Sequence, residues 1–388
     1  MVKQRHQALE KVRELSENRE RRALELKREG CKILGYFCSF FPVEILTAAD
    51  ILPYRFIGDL KEPRTEADPY CDPSNCPYLK SCFDMAIKGR YDFLDGWMTP
   101  DACDNVSNIY RFWMYRLAPA YTYWINVPNV LDEDCFQYFK RELNFLKENV
   151  EGFIQSKITD EKLHQAIDLH NEQRALLRRL QELRKPQPPL LNGSEMIKVL
   201  RAVMSLPVEE ANELVRSLIP EIEGRKDGIP RSQHRLLVWG PEIDDPALYE
   251  LIEDLGANVV ADDHCIGTRF FWYDVEKMAD PLDGLSKHYL GDQYCPRIIR
   301  GKGEGWASRE QDLKDRFGHV TRFAKDFSVD GIILYIMKYC DLHEFDVPDI
   351  RDYLTKQGYP VLHVETDYSM AAVAGLRTRI EAFLEMIS

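Results

Sequence analysis

Short apolar segments alternate with helical segments in this 388-residue chain, and this alternation limits its fold more than any other feature. Cys31–Ser39 and Ile51–Ile57 are typical of buried strands, and Pro42–Ala49 between them begins like a helix, with proline in its first turn. Such β-α-β units form parallel sheets through right-handed crossovers. The pattern returns near the carboxyl end, where strand-like Leu236–Pro241 precedes another helix and strand. The sequence therefore predicts two parallel-sheet α/β units.

Between these units the apolar residues recur at helical spacing. Phe139, Leu143 and Leu146 lie on one face of a predicted helix, and another helix begins behind Thr159. The prediction therefore has four parts: an N-terminal helix at 1–30, a first α/β domain with a cysteine-rich loop at 31–131, a helical segment at 132–224 and a second α/β domain at 225–388.

The charge balance argues against nucleic acid and membrane partners. The formal net charge is -13, whereas a sequence-independent grip on phosphates or anionic lipids needs clustered Lys and Arg. The sequence has no run of about 18 apolar residues that would span a bilayer. Its first residues mix acids with bases, unlike an acid-poor transit peptide. We expect neither nucleic acid nor membrane as a partner, and a cytoplasmic location.

Four of the ten cysteines fall within the stretch Tyr70–Asp104, namely Cys71, Cys76, Cys82 and Cys103. A disulfide framework is a poor interpretation, because no signal peptide is evident and a chain of this length buries a large core without staples. Reduced thiols that bind a ligand are favoured. Cys103 follows the strand-like Tyr91–Thr99, and open α/β sheets bind ligands beyond the carboxyl ends of their strands.

Cysteines follow predicted strands in the second unit as well. Cys265 comes after one strand. Cys340 ends the apolar, strand-like Val329–Cys340, and a helix is predicted beyond it over Pro348–Gln357. A crevice between the two units would bring these thiols to Cys103, where they suit an iron-sulfur cluster or zinc. The lack of a compact Cys-x2-Cys pair disfavours a zinc ribbon. The competing interpretation makes most cysteines small buried hydrophobes, and we predict that role for Cys31 and Cys135.

Other polar residues carry weaker signals. Glu44, early in a helix behind a strand end, suits a proton-transfer group, but the helix dipole explains an acid there equally well. Isolated histidines such as His264 and His343 are more often hydrogen-bonded structural residues than ligands. No Gly-x4-Gly-Lys-Ser/Thr loop occurs, so we do not expect the chain itself to hydrolyse ATP.

Six segments in order resemble the iron-sulfur subunits of the 2-hydroxyacyl-CoA dehydratase and benzoyl-CoA reductase family. They are Gly35–Asp59 (GYFCSFFPVEILTAADILPYRFIGD), Asn75–Cys82 (NCPYLKSC), Asp95–Asp104 (DGWMTPDACD), Ala261–Phe271 (ADDHCIGTRFF), Lys338–Pro348 (KYCDLHEFDVP) and Thr378–Met386 (TRIEAFLEM). The match spans nearly the whole chain. The resemblance implies two flavodoxin-like domains with a helical segment, and a 4Fe-4S cluster held by three cysteines.

Matched residue by residue, the resemblance assigns the cluster ligands to Cys76, Cys103 and Cys340, with Cys82 competing for the first position. The remaining iron would be open to water, sulfide or substrate. Ser39 and Glu44 fall where the family has polar active-site groups near the cluster.

The resemblance also implies a reaction and its partners. An ATP-hydrolysing partner with its own 4Fe-4S cluster delivers one low-potential electron, and an acyl-CoA thioester accepts it as a ketyl radical. Water is then eliminated, or an aromatic ring is reduced. The partner subunit is a second copy of the chain or a paralogue.

Cys265 and Cys295 exceed the three-ligand pattern and resemble the branch called double-cubane cluster proteins. There an 8Fe-9S double cubane takes six cysteines and reduces small molecules without CoA, and Cys38, Cys71 or Cys82 would supply the sixth. Three hypotheses therefore stay open. The leading one is a dehydratase or reductase subunit, and the others are a homodimeric double-cubane reductase and a non-catalytic cluster-bearing electron carrier.

Overall fold

The computed structural model describes residues 7–225, 234–300 and 308–388. Eight of its strands form two parallel sheets. In chain order they are β1 Lys32–Tyr36, β2 Ile51–Arg55, β3 Gly96–Pro100, β4 Thr122–Ile125, β5 His234–Trp239, β6 Ala257–Asp263, β7 Gly331–Met337 and β8 Val361–Thr366. The strand orders are β2-β1-β3-β4 and β6-β5-β7-β8, which repeat the first four positions of the flavodoxin-like order. The predicted α/β class with two parallel sheets is confirmed.

Helices surround both sheets. In chain order the α-helices are α1 Gln7–Glu17, α2 Arg19–Arg28, α3 Val43–Ala48, α4 Pro77–Ile87, α5 Asp104–Leu117, α6 Glu133–Ile154, α7 Asp160–Glu182, α8 Gly193–Val203, α9 Val208–Glu223, α10 Ala247–Asp254, α11 Thr268–Phe271, α12 Pro281–Ser286, α13 Arg309–Asp326, α14 Asp341–Lys356, α15 Met370–Gly375 and α16 Arg377–Met386. One turn of π-helix, Lys287–Gly291, follows α12.

Each sheet has its topological switch point between its two central strands. Leu34 of β1 pairs with Gly96 of β3, and Leu236 of β5 pairs with Gly331 of β7. At such a point the connections leave the central strands towards opposite edges, which opens a crevice beyond their carboxyl ends. The topology of each described sheet therefore predicts a crevice at this point.

A continuous apolar core joins the two sheets through the helical segment. It includes Leu52 of β2, Leu200 of α8, Leu236 of β5 and Ile333 of β7, all of which are buried. The β7 sequence GIILYIM is buried along its whole length, as expected for a central strand covered on both faces. This shared core holds the crevices of the two sheets in one arrangement.

The N-terminal segment differs from the single helix predicted for it. In its described part the chain forms α1 and α2, which are separated at Asn18, where φ is -121° and ψ is 56°. Leu9, Val12 and Leu15 bury the apolar face of α1, which packs against α8 and α9.

Two local predictions near the cysteines are corrected by the structure. The strand predicted over Tyr91–Thr99 is shorter in the structure, where β3 begins at Gly96 and ends at Pro100. The helix predicted to start at Pro348 instead begins at Asp341 and carries that proline in its interior. As a result Cys340 lies outside β7, which ends at Met337, and directly before α14.

Within the described ranges, none of the helices combines the length and the apolar character needed to traverse a bilayer. The predicted boundary at residue 225 adjoins residues 226–233, which lie outside those ranges. The division of the chain into four parts stays a prediction.

Candidate functional site

The three cysteines assigned as ligands share one local setting, the N-cap of a helix. Cys76 precedes α4, Cys103 precedes α5 and Cys340 precedes α14. Backbone N–H groups of each first turn favour the thiolate form of the capping sulfur. These amides face the sulfurs without forming a full capping hydrogen bond.

These three thiols lie within electrostatic reach of one another. The pKa of Cys340 is raised well above its ordinary value by burial and then by the neighbouring Cys76 and Cys103. The pKa of Cys103 is raised to about 12, again by burial, with further contributions from Cys76 and Cys38. Predicted ligands from the two α/β units thus lie close enough to affect one another's pKa.

Three further cysteines complete what we call the six-thiol group. Besides burial, Cys295 raises the pKa of Cys38, and both of these thiols raise the pKa of Cys265. The first α/β unit contributes Cys38, Cys76 and Cys103, and the second contributes Cys265 and Cys340. Cys295 comes from the later half of the sequence but packs in the apolar cluster of the first sheet. Thiols far apart in the sequence thus lie close enough for the charge of one to affect the next.

The remaining cysteines have different surroundings. Cys82 is fully buried within α4, whereas Cys76 caps that helix and is only partly buried. The choice of Cys76 over Cys82 as a ligand stays a prediction that these placements favour. Besides burial, the charges that affect the pKa of Cys71 are those of Lys80 and Asp68. Cys31 and Cys135 pack against the apolar core but remain partly exposed, so neither is the fully buried hydrophobe predicted.

Ser39, next to Cys38, has a buried hydroxyl that lacks a partner. It is 7% exposed, and its Oγ makes no hydrogen bond to any residue that the structure describes. Such a group costs about 1–3 kcal/mol when it stays unsatisfied, so it is suited to a bound ligand. Cys38 itself has φ of 66°, in the left-handed region that non-glycine residues seldom adopt.

A buried ion pair links the two units beside the thiols. Arg55, at the end of β2, donates from Nη2 to Glu242 Oε1 at 2.7 Å, and Glu242 follows β5. The Arg55 charge lowers the pKa of Cys38, although burial dominates and leaves that pKa raised to about 11. A fixed positive charge therefore lies near the six-thiol group.

Glu44 lies in a closed network of hydrogen bonds on the helical side of the first unit. Its Oε1 accepts from Arg174 Nη2 at 2.6 Å, and its Oε2 accepts from the Tyr289 hydroxyl at 2.8 Å. Burial alone would raise the pKa of Glu44, but the charge of Arg174 lowers it to about 2. These contacts hold Glu44 as a carboxylate, and its proton-transfer role stays a prediction.

A second polar network contacts the thiols of Cys340 and Cys265. Its Sγ lies 3.3 Å from His343 Nδ1, and His343 Nε2 lies 3.1 Å from Arg269 Nη1. Arg269 also contacts Cys265 Sγ at 3.9 Å and pairs with Asp263 at 2.7 Å. Sequence reasoning set His343 aside as an isolated histidine. The available signal was the Cys340-x2-His343 spacing, which becomes informative once α14 is known to start at Asp341.

The donor set fits an iron-sulfur cluster. Thiolates are the ligands that such clusters prefer, and six thiols line this region. Within the described residues, no three His, Cys, Asp or Glu side chains are grouped closely enough to hold a single metal ion. An assembly of several iron atoms reaches ligands that are more widely spaced than those of one ion.

Comparison with known proteins identifies relatives along nearly the whole chain. The family model described as 2-hydroxyglutaryl-CoA dehydratase, D-component, matches residues 38–387, a range that includes the six-thiol group. A benzoyl-CoA reductase subunit of Thauera aromatica is 25% identical over 363 residues, covering 92% of this chain and 91% of the relative. The (R)-phenyllactyl-CoA dehydratase beta subunit of Clostridium sporogenes is 25% identical and covers 93% of each chain. The (R)-2-hydroxyglutaryl-CoA dehydratase subunit beta of Acidaminococcus fermentans is 23% identical and covers 98% of each.

Proposed function

The chain belongs to the family of the 2-hydroxyglutaryl-CoA dehydratase D-component, as its motifs indicated, and we propose that it is the 4Fe-4S subunit of a 2-hydroxyacyl-CoA dehydratase or of a related benzoyl-CoA reductase-type enzyme. Its relatives are named as subunits of dehydratases and of a reductase, which supports an enzyme of one of these types. The same names support a partner subunit, which is either a paralogue or a second copy of this chain.

One observation carries the proposal, namely that Cys76, Cys103 and Cys340 cap three helices and couple electrostatically across the two α/β units. These three residues would hold the cluster. When bound, the cluster would pass one low-potential electron, received from an ATP-hydrolysing iron-sulfur activator, to an acyl-CoA thioester.

The protein surroundings supply the rest of the site. The first-turn N–H groups and the Arg55 guanidinium favour negative charge on the sulfurs. The buried Ser39 Oγ offers a hydrogen bond to a ligand next to Cys38. Partial burial of the sulfurs limits their contact with bulk water and strengthens each of these interactions.

The first test replaces each proposed ligand by serine and measures iron and acid-labile sulfide after anaerobic purification and reconstitution. We expect about four irons per wild-type chain and a large loss in Cys76→Ser, Cys103→Ser and Cys340→Ser, since thiolates hold the cluster. Cys31→Ser is the matched control, because Cys31 lies before β1, in contact with the apolar core. Equal iron in wild type and all four variants, or none in wild type, would contradict the proposed cofactor.

Activity is a separate question from iron content. The loaded protein, combined with a partner subunit and an activator, should dehydrate a 2-hydroxyacyl-CoA or reduce an aromatic acyl-CoA. A panel of both thioester types distinguishes the two reaction classes. Absence of turnover with every combination would refute the enzymatic part of the proposal.

The six-thiol group favours a second candidate, the double-cubane reductase. Cys265, Cys295 and Cys38 would supply the ligands beyond the first three, and all three are coupled to one another. This candidate predicts about eight irons per chain. It also predicts that the Cys265→Ser/Cys295→Ser variant retains about half of that iron, whereas unchanged iron content would exclude it.

A further inference from the structure

The imidazole of His343 has hydrogen-bonding partners on both of its nitrogens. Nε2 lies 3.1 Å from Arg269 Nη1, and Nδ1 lies 3.3 Å from Cys340 Sγ. His343 is 2% exposed and also packs against the Trp239 ring, with ring centroids 5.0 Å apart. The ring therefore has little freedom to turn away from either partner.

The chemistry of arginine decides which nitrogen carries the proton. A guanidinium has only donors and stays protonated in proteins, so Nε2 must accept the hydrogen bond from Arg269. In the neutral ring the proton then lies on Nδ1, which points at Cys340 Sγ. The Gly240 carbonyl, a pure acceptor, also acts on this imidazole and requires a ring N–H, which is then the Nδ1–H that it shares with Cys340 Sγ.

Arg269 is itself held in place by buried partners. Its Nε donates to Asp263 Oδ1 at 2.7 Å, and Asp263 Oδ2 lies 2.9 Å from His319 Nε2. Arg269 Nη1 also lies 3.9 Å from Cys265 Sγ, so one guanidinium contacts a thiol directly and a second thiol through His343. Because that guanidinium does not give up its proton, this chain of contacts orients groups and does not conduct protons.

We propose that His343 is a positioning residue that donates its Nδ1–H to Cys340 Sγ, and that Arg269 locks the ring in this tautomer. The inference rests on the proposed function, in which Cys340 is a cluster ligand. Hydrogen bonds to a ligand sulfur stabilise the more negative, reduced state of a cluster and so raise its reduction potential. His343 therefore tunes the potential of the bound cluster without binding the metal itself.

Two substitutions separate the two nitrogens of His343. The amide of Asn places a donor near the Nδ1 position, whereas the longer Gln places its polar group near Nε2, towards Arg269. An EPR-monitored redox titration of the loaded full-length protein measures the midpoint potential. We expect His343→Gln to lower the reduction equilibrium constant about tenfold, which for one electron is about 59 mV. His343→Asn should keep the potential close to the wild-type value, and His363→Gln on β8 should leave it unchanged.

A second measurement reads the tautomer without any cluster. Long-range ¹H–¹⁵N correlation on the apo protein with ¹⁵N-labelled histidine distinguishes Nδ1–H from Nε2–H, and the His343 signal is identified by its loss in His343→Asn. An Nδ1–H tautomer supports the inference, and an Nε2–H tautomer overturns it. Equal midpoint potentials in wild type and His343→Gln, at equal iron content, also overturn it while leaving the proposed function intact. A wild-type protein that binds no iron refutes the proposed function, and with it the tuning role.

Discussion

The Glu44–Arg174 pair shows how the surroundings of one residue set its chemistry. Glu44 is completely buried in α3, and Arg174 reaches it from α7, so the pair joins the first α/β unit to the helical segment. The pKa of Glu44 is lowered from 4.5 to about 2 by Arg174, against the opposing effect of burial. A folded-state pKa below the unfolded one gives stability that is present above about pH 4.5 and lost as the pH falls towards 2.

Removing one partner of this pair should be costly. We expect Arg174→Met to lower the free energy of unfolding by about 3–5 kcal/mol at pH 7, because it leaves a buried carboxylate unpaired. The double variant Glu44→Gln/Arg174→Met should recover a large part of this loss. Urea denaturation measures both changes.

The matched control for this pair lies on the same helix. Arg179→Met breaks an exposed pair with Glu223 and should change stability by less than about 1 kcal/mol. Equal losses for Arg174→Met and Arg179→Met would contradict the importance of the buried pair. If Glu44→Gln abolished activity while stability was preserved, the proton-transfer prediction for Glu44 would be retained.

The elements meet closely where the two central strands of the second sheet end. A Cβ added to Gly240, just after β5, would lie 2.2 Å from the Tyr335 carbonyl oxygen of β7. That atom belongs to the backbone of a fully buried strand and has little room to move. Gly240 therefore allows the close approach of the end of β5 to β7 beside His343.

We expect Gly240→Ala to destabilise the protein by about 1–3 kcal/mol through overpacking at this junction. Gly152→Ala is the control, because no atom lies within 4 Å of its added Cβ and it is inside α6. That substitution should stabilise the protein by about 0.5–1 kcal/mol. Thermal unfolding followed by circular dichroism measures both changes in stability. Unchanged stability in Gly240→Ala would show that the backbone of β7 shifts to accommodate the added Cβ.

Strand positions could be predicted from the sequence more reliably than helix starts. The apolar runs of β1, β2, β5 and β7 are continuous and bounded, so their periodicity identified them. Proline was a poorer guide. Pro77 occupies the first turn of α4, where proline is common, yet the sequence analysis did not predict that helix. Pro348 lies inside α14, so a helix predicted to begin at this proline was placed too late in the sequence.

At the candidate site, too, only part of the arrangement could be predicted from the sequence. Cysteines after strand ends suggested that Cys103, Cys265 and Cys340 would meet. In the structure Cys103 acts directly on Cys340, whereas Cys265 is related to them through Cys38 and Cys295. The partners of those cysteines could not be predicted, because His343, Arg269 and Asp263 lie on three elements, α14, α11 and β6, whose side-chain directions depend on the tertiary packing. The orphan hydroxyl of Ser39 was equally invisible, since burial without a partner is a property of the folded state.

At the scale of the molecule, Asp244 marks the contact between the two α/β units. Its Oδ2 accepts from the backbone N–H of Gly58 at 2.7 Å and from the Tyr368 hydroxyl at 2.7 Å. Burial raises the pKa of Asp244 from 3.8 to about 7, and the nearby Arg201 only partly opposes this effect. The folded state therefore retains a proton that the unfolded chain releases above about pH 4.

This difference in pKa predicts that the free energies of unfolding of wild type and Asp244→Asn differ by an amount that depends on pH. As the pH rises from about 4 to about 7, the wild type should lose stability relative to the variant, because the unfolded state gains by ionising. Above about pH 7 the gap should become constant, since Asp244 then ionises in both states. Guanidinium denaturation at several pH values measures it, and a gap independent of pH would contradict the raised pKa.

The six-thiol group takes three cysteines from each half of the sequence, and this division affects the biosynthesis of the protein. A chain on the ribosome folds from its amino end, so Cys38, Cys76 and Cys103 take their places before Cys265, Cys295 and Cys340 have been made. A prosthetic group that needs sulfurs from both sets cannot be inserted during early synthesis. Maturation must then wait until translation has passed residue 340 of 388, and oxidants can attack the first three thiols in the meantime.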